Sequence, residues 1–249
     1  MNMSEMRIIK YSKETYLDPV ALVGFPGVGL VSSILASFVI RELKMEVVAA
    51  ISSSDFPPYT VILNGIPYPP IRVYGCKRES ASDHCGDLII VTSEVALKPE
   101  QHYELNSVLM GLFKEIGIKF VISIEGVPRY NSETDIFACG TSEASKERIK
   151  QLGLTELNDG LVRGLTGVML YEAFSSGADV TALLCPANPA LPDPRSAARI
   201  LEPLSILVPE LKIAAEPLYK EAEEIENRMR LQQEYERSVT PGDIQQLYR

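Results

Sequence analysis

Val20, Ala21, Leu22 and Val23 form an apolar run without alternation, and the run stops at Gly24-Phe25-Pro26-Gly27-Val28-Gly29. A strand with water on one face alternates polar and apolar residues. A run that does not alternate suits a strand covered on both faces, as in a parallel sheet. Leu30, Ile34, Leu35, Phe38, Val39 and Leu43 then recur at helical spacing, and residues 46–51 return as a strand. Strand, glycine turn, helix and strand in that order are the building unit of α/β folds.

The rest of the chain repeats this grammar. Residues 6–10, 88–91, 119–124, 136–139 and 180–184 read as strands, with 119–124 ending at Glu125-Gly126 and 180–184 at Cys185-Pro186. Residues 60–63 and 71–74 flank a Pro/Gly-rich turn at 64–70, which predicts an antiparallel hairpin between them. A helix starts at Pro99 with Leu105, Val108, Leu109, Leu112 and Ile116 on one face. Further helices are predicted at 142–152, at 166–174 with Gly177 as its cap, and at 195–207. The strands that follow Leu17 and begin near Glu46, Leu88, Lys119 and Val180 should share one sheet, covered by helices on both faces.

From Pro217 a charged helix with six Glu, and a seventh at Glu216 just before it, is expected to run to about Arg237, followed by turn residues 238–243. Leu211, Ala215, Leu218, Ala222, Ile225 and Met229 lie four and three apart, a short seam for packing on the body or a sister subunit. The chain therefore divides into an α/β body (1–208), a charged C-terminal helix (209–237) and a flexible docking tail (238–249).

Charge and composition exclude several classes of function. The 249 residues are 46% apolar, which supports a core and rules out wholesale disorder. Lys and Arg number 24 against 33 Asp and Glu, a net charge of −9, so nucleic acid is a poor partner. No apolar stretch is long enough to span a bilayer, and no signal-like segment opens the chain. Cys76, Cys85, Cys139 and Cys185 never form Cys-x-x-Cys, and we expect them to be reduced thiols in a cytoplasmic protein.

Each motif has a plain and a functional reading. The Gly24–Gly29 turn sits where a phosphate loop would sit, at a helix N-terminus. It lacks the Lys of a P-loop and the glycine order of a dinucleotide fingerprint, although Glu46 lies about where a ribose-binding acid would. Gly24, Pro26, Gly27 and Gly29 therefore read as a structural turn that lets strand and helix approach. Cys76, His84 and Cys85 match no zinc spacing, so no metal site is expected. His102 is expected on a helix surface. A triad drawn from Cys185, His84 and Asp55 has no supporting motif, and no Gly-x-Ser-x-Gly elbow exists. Glu94 and Glu125 follow strands at the edge where open α/β sheets hold ligands, and are acid/base candidates if a pocket forms there. No cofactor motif is legible, and no catalytic residue is assigned.

The last three residues carry the sharpest functional signal. Leu247-Tyr248-Arg249 places an apolar residue and a Tyr before the terminal carboxylate, behind the breaker Thr240-Pro241-Gly242. Such a hook can enter a pocket, bury the ring, hydrogen-bond the phenol and pair the carboxylate with a Lys.

Gly24-Phe25-Pro26-Gly27-Val28-Gly29, Asp55-Phe56-Pro57-Pro58, Gly164-Leu165-Thr166-Gly167 and Pro192-Asp193-Pro194-Arg195-Ser196-Ala197-Ala198 together resemble the proteasome assembly chaperone family, its archaeal members in particular. The resemblance covers about residues 17–235. It implies a three-layer α/β/α sandwich like that of nucleoside phosphorylases, with no established catalytic residues. The tail resembles the hydrophobic–Tyr–any motif of proteasome activators, which inserts between adjacent α-subunits of the core particle and favours the open gate. Leu247, Tyr248 and the Arg249 carboxylate match that motif residue by residue. The resemblance implies an ATP-independent, homo-oligomeric assembly chaperone or activator. The alternative is a nucleoside- or carboxylate-handling hydrolase or ligase that uses the Gly24–Gly29 turn with Glu94 or Glu125. Converging acids near Gly27 would favour the enzyme.

Overall fold

The computed structural model describes residues 6–76, 87–129, 135–208, 213–220 and 222–223. Its centre is a nine-stranded mixed sheet. The strands are β1 (Arg7–Lys10), β2 (Val20–Gly24), β3 (Glu46–Ser52), β6 (Ile71–Gly75), β7 (Leu88–Ser93), β8 (Phe120–Pro128), β9 (Phe137–Gly140), β10 (Thr155–Glu156) and β11 (Val180–Ala187). Their spatial order is β1-β3-β6-β7-β2-β8-β11-β9-β10. The four central strands β7, β2, β8 and β11 run parallel, with Val23 opposite Val91 on one side and Ser123 on the other. Two of them, β2 and β7, contain the unbroken apolar runs 20–23 and 88–91, and helices cover the four above and below. The outer pairs β1–β3, β3–β6, β6–β7 and β9–β11 are antiparallel.

Among the described residues five helices make most of the outer layers: α1 (Val31–Glu42), α2 (Gln101–Ile116), α3 (Glu143–Gln151), α4 (Gly164–Ser176) and α5 (Pro194–Leu207). On one face Leu35, Phe38 and Val39 of α1 pack with Ala197, Leu201 and Leu204 of α5 against Leu22, Ile90 and Ile122. On the other, Leu105, Leu109 and Phe113 of α2 pack with Leu165, Met169 and Ala173 of α4 against Ala21, Val23, Ile89 and Val121. Neighbouring residues of one strand thus serve opposite cores, as the pleat requires. Leu218 and Ala222, at the start of the predicted charged helix, are also buried, and Leu218 joins the α1/α5 core.

The structure corrects three local expectations. The hairpin joins β4 (Val61–Leu63) to β5 (Ile66–Tyr68), not to 71–74. Asn64 and Gly65 both have positive φ, 50° and 80°, which is the two-residue turn that suits a twisted hairpin. β8 runs on past Glu125 to Pro128 and β11 past Pro186 to Ala187. Pro186 is tolerated because pairing of β11 with β9 ends at Leu184. Cys76, directly after β6, is disulfide-bonded, whereas Cys139 and Cys185 are free thiols, so the expectation of four thiols fails at Cys76. Among the described residues no helix is long and apolar enough to cross a membrane.

Candidate functional site

The glycine turn closes over the end of β2, and each glycine is required for a different contact. A Cβ on Gly24 would stand 2.7 Å from the Ser32 carbonyl oxygen of α1, and the Ser32 hydroxyl donates back to the Phe25 carbonyl at 2.5 Å. Strand and helix therefore meet backbone to backbone. Gly29 has φ 63° and packs beside Ala187 and Asp193, whose N–H donates to the Gly29 carbonyl at 2.8 Å. Gly27 leaves room for a side chain from elsewhere: its Cβ would collide with the Glu125 carboxylate. Pro26 lies between them on a cavity wall. Across the turn, Gly126 of β8 faces the Val28 carbonyl, and a Cβ there would strike backbone that cannot swing away. Gly126→Ala should therefore cost about 2 kcal/mol by overpacking, read as a fall of roughly 4–8 °C in melting temperature for a chain of this length. An unchanged melting temperature would show that the turn yields.

Glu125 is the centre of the site. It lines a cavity of about 180 Å³ with Val23, Phe25, Leu97, His102 and Leu165 among the other walls. The cavity opens where β2 and β7 send their following helices to opposite faces of the sheet, the place where open α/β sheets hold ligands. Thr166, in the first turn of α4, donates to Glu125 Oε2 at 3.1 Å, and Ser123 and Thr166 hydroxyls lie 2.9 Å apart. The Thr166 proton goes to the carboxylate, so Ser123 donates to Thr166. Burial pushes the Glu125 carboxyl up from 4.5 to about 7, and the Thr166 hydrogen bond offsets only part of that rise. His102, expected on a surface, is half-buried on the cavity wall, and burial holds its imidazole below the ordinary value. Burial thus disfavours the charged form of both side chains that share this pocket.

The second candidate acid does not join them. Glu94 pairs at 2.5 Å with Arg72, a residue of β6 whose side chain is 2% exposed. Arg72 also donates to the Tyr74 hydroxyl at 2.7 Å and the Pro70 carbonyl at 3.3 Å. Glu94 therefore neutralises a buried cation, the arrangement such a charge requires. The drawn triad dissolves as well: Cys185 is buried against the Ser196 carbonyl, Asp55 is exposed, and His84 lies outside the described residues. Cys85 also lies outside them. Among the described residues no group of three or more His, Cys, Asp or Glu side chains is placed to hold a metal ion.

The Pro192–Ala198 segment has a structural task. The Asp193 side chain caps α5 by accepting from the Ser196 N–H at 2.9 Å, with Pro194 in the first turn. Arg129 Nη2 reaches Asp193 at 3.0 Å and the Ser196 hydroxyl at 2.9 Å, tying the end of β8 to α5. Sequence reading gave no role to Arg129 or Arg72. Leu247, Tyr248 and Arg249 lie outside the described residues.

The comparisons with known proteins match this architecture. Residues 21–233 match the model of the PAC2 family, and the chain belongs to that family. A relative from Methanocaldococcus jannaschii, the uncharacterized protein MJ0106, is 31% identical over 226 residues, 90% of each chain. The crystal structure of Pyrococcus furiosus PbaA, an archaeal homolog of proteasome-assembly chaperone, superimposes with a TM-score of 0.82 at 29% identity, covering 98% of both chains. That of Pyrococcus furiosus PbaB, an archaeal proteasome activator, gives 0.78 at 25% identity, covering 93% of this chain and all of that one.

Proposed function

We propose that this protein acts on the proteasome core particle in the cytoplasm, as an ATP-independent assembly chaperone or activator. The observation that carries the reading is the near end-to-end likeness to PbaA, supported by the likeness to PbaB. Docking goes through the tail: Leu247 and Tyr248 enter a pocket between adjacent α-subunits, and the Arg249 carboxylate meets a basic residue there. One tail on a ring with several sites binds weakly, and linked tails raise the effective concentration. The body therefore self-associates into a homo-oligomer. Exposed apolar side chains on and beside α4, Leu161 at 77% and Phe174 at 75%, support such a contact. No nucleic acid or membrane enters this reading, and neither does a catalytic step. The hydrolase or ligase reading keeps Glu125, which lines the cavity beside Gly27, but not Glu94, which is paired with Arg72 and is not among the described residues that line that cavity.

Co-purification with core particles tests the proposal, using the full chain and a form lacking residues 238–249. The full chain should be retained and the shortened form lost. Light scattering should return a multiple of its own chain mass for each form, 27.5 kDa for the full chain. Equal retention of the two forms would refute tail docking, and a monomer mass would refute the oligomer.

A further inference from the structure

Tail docking leaves the Glu125 cavity without a role, and its chemistry is specific. Val23, Phe25, Leu97 and Leu165 supply an apolar side, and Glu125, Thr166 and His102 a polar end. Among the described residues the Glu125 carboxyl accepts one hydrogen bond, from Thr166 to Oε2, while Oε1 lies against Gly27. An ionised carboxylate has about four acceptor positions, so this one keeps acceptor positions open toward the cavity it lines. Among the described residues no Lys or Arg lines the cavity. A phosphate or carboxylate ligand would meet a like charge there with no cation to offset it, so the occupant brings donors. The volume of about 180 Å³ is close to the roughly 150 Å³ of an engineered cavity that takes up benzene, which sets the size at a single ring.

We propose that this cavity is a binding site for a single-ring ligand carrying an amidine-type pair of N–H donors, which the Glu125 carboxylate receives in parallel hydrogen bonds. Two coplanar donors match two carboxylate oxygens, as in the paired contact of a guanidinium with a carboxylate. The ring lies against Phe25 and Leu97, and Thr166 holds the carboxylate in place. Gly27 keeps the carboxylate seat open, because any side chain there would displace it.

Benzamidine is the probe and benzoate, of the same shape and opposite charge, the control. Calorimetric titration of the full chain at pH 8, where Glu125 is ionised, should give saturable binding of one benzamidine per chain and none of benzoate. Glu125→Gln removes the charge and one acceptor and should weaken benzamidine at least tenfold. Ala96, exposed on the cavity rim, offers a second variant that leaves the core alone: Ala96→Trp should block entry to a similar degree. If Glu125→Gln fails to melt cooperatively, the Ala96→Trp form decides. Absence of saturable benzamidine binding to the unaltered chain, binding of benzoate as tight, or unchanged affinity in the variants would overturn the site.

Discussion

Tyr248→Ala is expected to remove at least roughly 30-fold of the affinity of each tail for the proteasome core particle, and more for an oligomer whose tails act together. The arithmetic starts from the anchor. A buried aromatic at the centre of an interface is worth on the order of 2 kcal/mol or more when truncated, which is roughly 30-fold in a dissociation constant. If several linked tails engage one ring, the loss at each site compounds through the effective concentration. Melting temperature and oligomer mass should not change, because on this reading the body, not the tail, makes the core and the oligomer contacts. One residue added after Arg249 should weaken docking too, by moving the carboxylate off its partner. Peptide hydrolysis by closed-gate core particles reads both effects. If the unaltered protein, Tyr248→Ala and the extended form stimulate equally, the tail is a frayed end.

The legible parts of this fold are those whose physics leaves a pattern in sequence. β2, β7, β8 and β11 are covered on both faces; β2 and β7 carry unbroken apolar runs, and the runs 120–124 of β8 and 180–184 of β11 are apolar save for Ser123 and Thr181. The faces of α1 and α2 repeat at helical spacing because one side of each packs on the sheet. β10 pairs two exposed residues and leaves no pattern. The hairpin's partner strand is obscured in sequence because Pro67, Pro69 and Pro70 read as turn residues and mask the Asn64-Gly65 turn three residues earlier. Arg72 sits inside a strand whose five residues are all buried, and only the three-dimensional placement of Glu94 and Tyr74 explains how a cation is held there. The sequence marks Gly27 as a turn glycine without naming what it makes room for. A signal for the site did exist. Glu125 interrupts the apolar run of β8 and is followed at once by Gly126, where the backbone of the turn crosses. In sequence a charge and a glycine resemble the end of a strand, whereas here they mark the point at which another loop packs over it.

Glu125→Gln should raise the stability of the folded chain at pH 8 and lose most of that gain by pH 5. The folded carboxyl titrates at about 7 against an ordinary 4.5, because burial disfavours its charge. The sign follows from proton counting: between those two values the folded state binds more protons than the unfolded one, so stability falls as pH rises through the window. The penalty is fully present above about pH 7 and absent below about pH 4.5. A shift of that size corresponds to about 3 kcal/mol. The amide oxygen of Gln can keep the Thr166 hydrogen bond without a charge to desolvate. Its N–H group faces the cavity and carries its own hydration cost, but that cost does not vary with pH. The difference between the two pH values is therefore the cleaner readout, about 2–3 kcal/mol by linkage, or roughly 4–12 °C in melting temperature. His102, the other titrating side chain on the cavity wall, stays in both proteins, so its titration enters both curves alike. Parallel melting curves for the two proteins from pH 5 to pH 8 would show that Glu125 is not desolvated in the folded chain, and the cavity would then have to be wet enough to solvate a carboxylate.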